Sequence, residues 1–151
     1  MPPVPLSPRE EVADTLHTCI LGLDTNDRDL FSSAFLHSPE TSLTGGGHTL
    51  TGIDNILTFF ERAFAVVTTH FITNIRVDFP DGKEGEADLT CHAIAYHIRP
   101  EEAMSREDTS HTAGCLYELG FVKAEGSWKI KRWNIKTQWT TGDIKVLHPD
   151  A

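Results

Sequence analysis

The chain has 151 residues, of which 39% are hydrophobic and 23% are charged, which is typical of one soluble globular domain and excludes a mainly disordered chain. With 22 acidic against 13 basic residues, the formal net charge of −9 argues against nucleic acid and anionic membranes as partners, because both require a positive surface. Residues 1–8 lack the pattern of a signal peptide, no apolar run is long enough to span a membrane, and the three cysteines have no CxxC spacing. We therefore expect a cytoplasmic protein with buried, reduced thiols.

The first predicted element is a helix that begins after Ser7. Residues 7–10 contain a capping-box pair and place a proline at the first helical position. The polar residues 24–26 then end the helix. Its apolar face is made by residues at helical spacing, namely Val12, Leu16, Cys19, Ile20 and Leu23.

Two further helices are predicted before residue 68. Thr25 or Asn26 is the expected N-cap of a short second helix, and a third helix opens at residues 51–54. Between them, residues 36–51 predict a short strand or hairpin that turns at 45–47. The apolar residues of the two helices are Leu30, Phe31, Ala34 and Phe35 for the second, and Ile53, Ile56, Leu57, Phe60 and Phe64 for the third.

From residue 68 onward the pattern changes to the alternation of long strands. Four are predicted, at 69–79, 85–98, 110–123 and 127–140, with tight turns at 80–82 and 124–126 and a charged loop at 99–109. Three helices followed by a long antiparallel meander indicate the α+β class. Strands this long must curve, so we expect a cone-shaped α+β barrel: three N-terminal helices packed on a strongly curved, mostly antiparallel sheet, with a cavity at the open end. We assign residues 8–141 to a single domain, 1–7 to a flexible lead-in and 142–151 to a C-terminal tail.

Asp24, His70 and His97 form the candidate active site. They lie on three separate elements, each at a place where such a cone turns a side chain inward. Acid–base catalysis requires a base with a pKa near the working pH, which histidine provides. A carboxylate on the far ring nitrogen fixes the tautomer and raises the basicity of that histidine, and this is the role expected of Asp24. His97 would then be a second proton-transfer group of the same site.

The alternation of side chains along the strands supports an inward position for His97 more directly than for His70. His97 ends a face of small apolar residues that begins at Ala87, which suits a cavity wall. His70 alternates instead with polar residues such as Arg76, on the more polar face of its strand. A β-bulge near residue 72 or 73 is therefore required for His70 to share the phenylalanine-rich side.

Simpler interpretations of the same residues stay open. Asp24 is also suited to cap a helix, and His70 and His97 to be core histidines with satisfied hydrogen bonds. The aromatic residues Phe60 and Trp139 are typical of a core, although Trp139 is also a candidate for the cavity mouth. Neither HxH nor HExxH occurs, so we expect no metal site.

Four short stretches carry a resemblance to a known family. They are residues 24–30, with acid–x–x–acid–x–acid spacing, and residues 69–72, 96–99 and 111–113. Together with the order of helices and strands over nearly the whole chain, they make it resemble the nuclear-transport-factor-2-like superfamily. Within that superfamily it resembles the SnoaL-like group and, in motif, the scytalone dehydratases.

The resemblance implies a cofactor-free elimination of water, in which Asp24 and His70 are a hydrogen-bonded acid–base pair and His97 transfers a second proton. The chain departs from the family where Leu23 replaces a tyrosine, and where Thr112 and Gly114 replace a serine and an asparagine. Those groups hold the substrate carbonyl in the family, so we expect a substrate other than scytalone. The candidate substrate-binding residues here are His111, Thr112, Trp139, Phe60 and Tyr96.

Three classes of function are compatible with these features. The first is a cofactor-independent dehydratase, isomerase or cyclase that acts on a small apolar carbonyl compound, such as a polyketide or another secondary-metabolite intermediate. The second is a non-catalytic module of the same fold that binds a small ligand or drives oligomerisation, because a fold alone never decides activity. The third is a small subunit of an oxygenase assembly. Open sheets of this kind usually cover one face by pairing subunits, so we expect a homodimer or homotrimer.

Overall fold

The structure, a computed structural model, describes Met1 and residues 3–151, so that Pro2 of the predicted lead-in lies outside the described residues. Within the described residues it contains three α-helices, six strands and two short 3₁₀ turns. The helices are α1 (Pro8–Asp24), α2 (Arg28–Ser33) and α3 (Ile53–Phe64). The strands are β1 (Ser42–Gly45), β2 (His48–Thr51), β3 (Val67–Asp78), β4 (Glu86–Ile98), β5 (His111–Ala124) and β6 (Ser127–Gly142). The 3₁₀ turns span Pro100–Glu102 and Ile144–Val146.

All six strands belong to one open sheet in the order β2-β1-β6-β5-β4-β3. Neighbouring strands are antiparallel except for β1, which pairs with β6 in parallel. The three helices pack on one face of this sheet, and the sheet does not close. The predicted α+β cone with a mostly antiparallel sheet is therefore confirmed.

The start of α1 follows the capping signal in the sequence. The Ser7 hydroxyl accepts a hydrogen bond from the Glu10 backbone N–H at 3.3 Å, and the Glu10 carboxylate accepts one from the Ser7 N–H at 2.7 Å. The cap of α2 differs from the prediction. Asp27 caps it by accepting a hydrogen bond from the Leu30 N–H at 2.9 Å, because Asn26 takes a left-handed backbone angle (φ 57°) and reverses the chain one residue before the helix begins.

The tight turn between α1 and α2 depends on Gly22. A Cβ atom at this position would overlap the backbone nitrogen of Phe31, so the two helices approach more closely than a larger residue would allow. Phe31 is completely buried. It contacts Phe35, Phe60 and Phe64 with ring centroids 4.8–5.3 Å apart, which joins α2 and α3 through one aromatic cluster.

The core lies between the helices and the concave face of the sheet. Inward positions on β4 and β5 are hydrophobic and almost completely buried, including Ala87, Leu89, Cys91 and Ala93 on β4, and Tyr117, Leu119 and Phe121 on β5. Cys19, Cys91 and Cys115 are free and buried, as predicted. Burial raises the pKa of the Cys91 thiol to about 12, so this side chain is protonated at neutral pH.

The predicted C-terminal tail is packed against the domain. Val146, in the second 3₁₀ turn, is 5% exposed. Asp143 anchors the segment, since its backbone N–H donates to the Ser110 carbonyl at 3.0 Å and its carboxylate accepts from Arg99 at 2.7 Å. In the described part of the chain, none of the helices has the length and apolar character needed to cross a membrane.

Candidate active site

Asp24 and His70 form a hydrogen-bonded pair across the interface between α1 and β3. The last residue of α1 is Asp24, and its Oδ1 lies 2.7 Å from His70 Nδ1 and 2.8 Å from the Thr68 hydroxyl. Its Oδ2 accepts the backbone N–H of His70 at 2.8 Å. Three donors near the start of β3 thus bind the Asp24 carboxylate. The N-cap of α2 is the neighbouring carboxylate, that of Asp27.

A bulge in β3 turns His70 into the cone. The register of β3 against β4 shifts between Thr73 and Arg76, where Asn74 has a left-handed φ of 56°. Before the bulge, His70 pairs with Ala95, and beyond it Val77 pairs with Leu89, so both lie on the concave face. The bulge required by the sequence pattern is present, one or two residues later than predicted.

Hydrogen bonds and charge keep Asp24 ionised and determine the tautomer of His70. Partial burial alone would raise the pKa of Asp24, but the hydrogen bonds from the His70 side chain and backbone, its charge and the Thr68 hydroxyl hold that pKa below its usual value. An ionised carboxylate only accepts hydrogen bonds, so Nδ1 of His70 carries the proton. In the neutral imidazole, Nε2 is therefore the basic nitrogen, and the side chain that carries it lines the cavity.

His97 has the opposite electrostatic environment. Its Nδ1 donates to the His111 carbonyl at 3.0 Å, and its ring lies edge-on to that of His70 with centroids 6.0 Å apart. Burial lowers the pKa of His97 to about 4, an effect larger than the opposing one of the hydrogen bond to His111. His97 is therefore neutral near pH 7 and presents an unprotonated Nε2, which accepts a hydrogen bond or a proton instead of donating one.

The two histidines line a common cavity of about 190 Å³ beneath α3. Most of its wall is apolar and is formed by Leu23, Phe59, Ala63, Ala95, Ala113 and Ile135. A concave apolar site with a few convergent polar groups is typical of binding sites for small organic molecules. Phe60 also lines it, at the position expected for a substrate contact.

The other four predicted substrate contacts lie outside this cavity. Tyr96 and Thr112 are register partners on the convex face of the sheet, where Tyr96 packs against Phe71. Trp139 lies on the same face, over Gly114, where a Cβ atom would overlap its indole ring. These placements contradict a cavity contact for the three side chains, because a strand presents alternate residues to opposite faces. His111 is buried behind His97 and contributes the carbonyl that orients it.

Two aromatic cavity residues that carry a polar atom were not expected from the sequence. Tyr117 on β5 is 3% exposed and lines the cavity. Burial raises its pKa well above the usual value, so the phenol remains a hydrogen-bond donor. The indole N–H of Trp133, which also lines the cavity, is buried and has no hydrogen-bond partner in the described residues. The signal for Tyr117 was its alternation with Ala113 and Cys115 on one face of the strand.

The cavity opens between α3 and the C-terminal segment. Arg62 of α3 and His148 line it and are both exposed, and the Arg62 guanidinium Nη1 lies 2.9 Å from His148 Nδ1. Leu147 completes this rim. In the part of the chain that the structure describes, no three or more histidine, cysteine, aspartate or glutamate side chains are grouped to hold a metal ion.

The family of the chain follows from its similarity to known proteins. The model of the SnoaL-like domain matches residues 5–134, which is most of the length of this chain. The chain belongs to the SnoaL-like domain family. A curated relative, the terrestric acid biosynthesis cluster protein E of Penicillium crustosum, is 35% identical over 145 residues, covering 94% of this chain and 90% of the relative.

Solved structures share the SnoaL-like fold at lower identity. A scytalone dehydratase-like protein of Novosphingobium aromaticivorans superimposes with a TM-score of 0.75 at 23% identity, covering 89% of this chain and 86% of that one. An aromatic ring hydroxylase-like protein of the same organism gives a TM-score of 0.77 at 19% identity, covering 96% and 99%. The two are named for different chemistry, so this likeness establishes the fold, and the function must be argued from the site.

Proposed function

We propose that the protein is a cofactor-independent acid–base enzyme that abstracts a proton next to the carbonyl group of a small, largely apolar compound. The observation that carries the proposal is the Asp24–His70 pair, whose 2.7 Å hydrogen bond leaves the basic Nε2 of His70 for the cavity. Oriented bases of this kind contribute about 10²–10⁴-fold to a rate. Dehydratase, isomerase and cyclase reactions all begin with this step.

The proposed step assigns distinct roles to the polar groups of the cavity. Nε2 of His70 takes the α-proton, the C–H electron pair forms the enolate, and Asp24 stabilises the resulting imidazolium. The Tyr117 phenol donates a hydrogen bond to the developing oxyanion, and so supplies a donor in place of the family tyrosine that Leu23 replaces. His97 is neutral and accepts a hydrogen bond from a substrate hydroxyl. The imidazolium of His70 then returns its proton, to a departing hydroxide in dehydration or to another carbon in isomerisation.

The relative from Penicillium crustosum supports a biosynthetic role for this chemistry. Its name assigns it to the biosynthesis cluster of terrestric acid, and it is 35% identical to this chain over most of both proteins. We infer that the substrate here is an intermediate of secondary metabolism, such as a polyketide. A lyase or an isomerase is the class of enzyme that fits the site.

The test is the exchange of α-hydrogens for deuterium in D₂O, followed by NMR on small ketones such as 2-tetralone, acetophenone and cyclohexanone. The wild-type protein accelerates exchange, and His70→Asn lowers the rate by about 10²–10⁴-fold because the base is gone. Asp24→Asn has a similar effect, since the imidazolium loses its counter-charge. Tyr117→Phe keeps the base but loses the oxyanion donor, which costs about 10²-fold.

The control variant is His17→Ala, which removes an exposed histidine of α1 and leaves exchange unchanged. His70→Asn retains a donor for Asp24, so its melting temperature separates loss of catalysis from loss of fold. Exchange that survives His70→Asn contradicts the proposal. Ligand binding without any exchange by the wild type identifies the non-catalytic binding module instead.

We also propose that the protein is a homo-oligomer, a dimer or trimer, assembled through the convex face of its sheet. Exposed apolar side chains form a row across that face, since Phe71 pairs with Ile94 and Ile94 faces Gly114 beneath Trp139. Phe71 is 56% exposed and Trp139 47%. A contiguous apolar row of this kind is typical of an interface, and the proposed occupant is a second copy of the chain.

A further inference from the structure

Arg62 places a positive charge at the mouth of the cavity that holds His70 and His97. It lies on α3 between Phe60 and Ala63, both of which line the same cavity. Its side chain is exposed, so the guanidinium stands where the apolar interior meets solvent. The position matters because a ligand with its apolar body inside would meet this charge with its outer end.

No carboxylate of the described residues neutralises this charge. Arg28, Arg99 and Arg132 form ion pairs with Glu61, Asp143 and Asp88, whereas Arg62 has no carboxylate oxygen within 4.0 Å among the residues that the structure describes. Acidic residues outnumber basic ones by 22 to 13 in this chain, so a pairing partner for Arg62 would be readily available by composition. The charge of Arg62 is therefore available to a ligand.

His148 orients the guanidinium without cancelling its charge. Arg62 Nη1 donates to His148 Nδ1 at 2.9 Å, which requires that this ring nitrogen carry no proton. His148 is held in place because the preceding segment is tied to the domain by Asp143, through Arg99 and the Ser110 carbonyl. A guanidinium has five N–H donors, and this is the one hydrogen bond that the Arg62 guanidinium makes in the described part of the chain. The remaining donors are free to bind an anion.

Arg62 also borders a second opening on its outer side. A surface cleft next to the cavity is lined by Arg62, Arg99 and Lys145, with Glu101 as its acidic member. Arg99 pairs with Asp143 and Glu102, so Arg62 and Lys145 are the cations of this cleft without an ion-pair partner in the described structure. Arg62 is the cation that lines both the cleft and the cavity, so its guanidinium borders both spaces.

From this geometry we propose that Arg62 and His148 form a subsite for a carboxylate, or for an equivalent planar monoanion such as an acidic enolate. The ligand class is then an apolar carbonyl compound with one anionic end: its body fills the cavity and its anion binds the guanidinium at the mouth. A planar guanidinium matches a carboxylate in a two-point hydrogen-bonded contact. This inference rests on the proposed function for the carbonyl group, whereas the anion subsite itself is independent of catalysis.

The test compares acids with their neutral amides. Benzoate, phenylacetate and 3-phenylpropanoate are titrated against benzamide, phenylacetamide and 3-phenylpropanamide by NMR or calorimetry at constant ionic strength. Three chain lengths are used so that one of them spans the distance from the cavity to Arg62. For the best-fitting length, the acid binds the wild type about tenfold more tightly than its amide, as expected for one charge-assisted contact at a partly exposed site.

Arg62→Gln abolishes this preference and leaves amide binding unchanged, while Arg62→Lys retains part of it because the charge remains but the fork is lost. The control is Arg106→Gln, the same change of charge in the 99–109 loop away from the cavity, which keeps the preference. Equal binding of acid and amide, absence of acid binding up to about 10 mM, or a preference that survives Arg62→Gln overturns the subsite.

The same titrations with His70→Asn separate this inference from the proposed function. The preference for acids persists in that variant if the subsite is correct, whatever the outcome of the deuterium-exchange experiment. A preference that disappears in His70→Asn but survives Arg62→Gln would place the anion at His70 and overturn the role of Arg62.

Discussion

At the scale of single residues, two histidines 6.0 Å apart have different hydrogen-bond partners on Nδ1. His70 has the carboxylate of Asp24 there, which fixes its tautomer. His97 has only a backbone carbonyl on Nδ1 and is 7% exposed, so its neutral form is favoured. The role of a proton donor therefore does not suit its resting state.

This difference has a measurable consequence for stability in acid. The pKa of His97 falls from 6.5 to about 4 on folding, so between these pH values the unfolded chain binds a proton that the folded protein does not. Stability therefore decreases as the pH falls through this window, by up to about 3 kcal/mol from this residue. His97→Asn keeps a donor for the His111 carbonyl but cannot titrate.

Urea denaturation at several pH values measures this effect. The variant is expected to lose less folding free energy than the wild type between pH 6.5 and pH 4, the interval set by the two pKa values of His97. Carboxylates such as Asp24 titrate in both proteins, so their contribution cancels in the comparison. Parallel pH profiles for the two proteins would mean that His97 is not buried in its neutral form.

At the scale of the element, the bulge in β3 decides whether His70 reaches Asp24 and the cavity. Asn74 adopts a left-handed φ of 56°, and the shift in register that follows places His70 and Val77 on the same face. Without the extra residue, a strand with period two would turn His70 toward the convex face, away from Asp24. The conformation of Asn74, an exposed residue of β3, therefore controls which face of the sheet the His70 side chain occupies.

The bulge is tested by two substitutions at Asn74. Asn74→Ala destabilises the protein by about 1 kcal/mol, because a residue with a Cβ that lacks the local hydrogen bonding of asparagine is strained at positive φ. Asn74→Gly is the matched control, since it also removes the hydrogen bond to His92 but tolerates this conformation. The free energies of unfolding in urea give the comparison. Equal stabilities of the two variants would contradict the importance of the left-handed conformation.

At the scale of the whole molecule, the helices pack on only one face of the sheet and leave its convex face exposed. The helices protect the concave face, while Phe71, Ile94, Tyr96 and Trp139 remain between 38% and 56% exposed on the other. The three candidates that failed to line the cavity, Tyr96, Thr112 and Trp139, all belong to this face. Burial against a second copy accounts for aromatic residues there better than contact with a substrate does.

The proposed assembly is tested by light scattering after gel filtration. Phe71→Lys introduces a charge into the apolar row and is expected to convert the oligomer to a monomer. Leu21→Lys is the matched control, because Leu21 is an equally exposed apolar residue (55%) on α1, away from the sheet. A wild-type protein that elutes with the mass of one chain would refute the assembly.

Some features of the site were accessible from the sequence because they depend on local chemistry. The capping box at Ser7, the turn after Asp24 and the run of small inward residues that ends at His97 each follow from a few neighbouring residues. The same local reasoning failed for Tyr96 and Trp139. Aromatic residues at strand positions suit either face of a sheet, and only their register decides which face they occupy.

What the sequence determined by itself is the order of helices and strands, the open α+β sheet, the buried thiols and the chemical types available for catalysis. These depend on periodicity and composition, which are properties of the chain read along its length. The tertiary structure decided that Asp24 contacts His70 and that Tyr117 and Trp133 line the cavity. It also decided that Arg62 lies at the mouth of this cavity, beside His148. These contacts join residues up to 86 positions apart. Sheet register, a bulge and the path of the C-terminal segment bring them together, and each of these is set by packing across the whole domain.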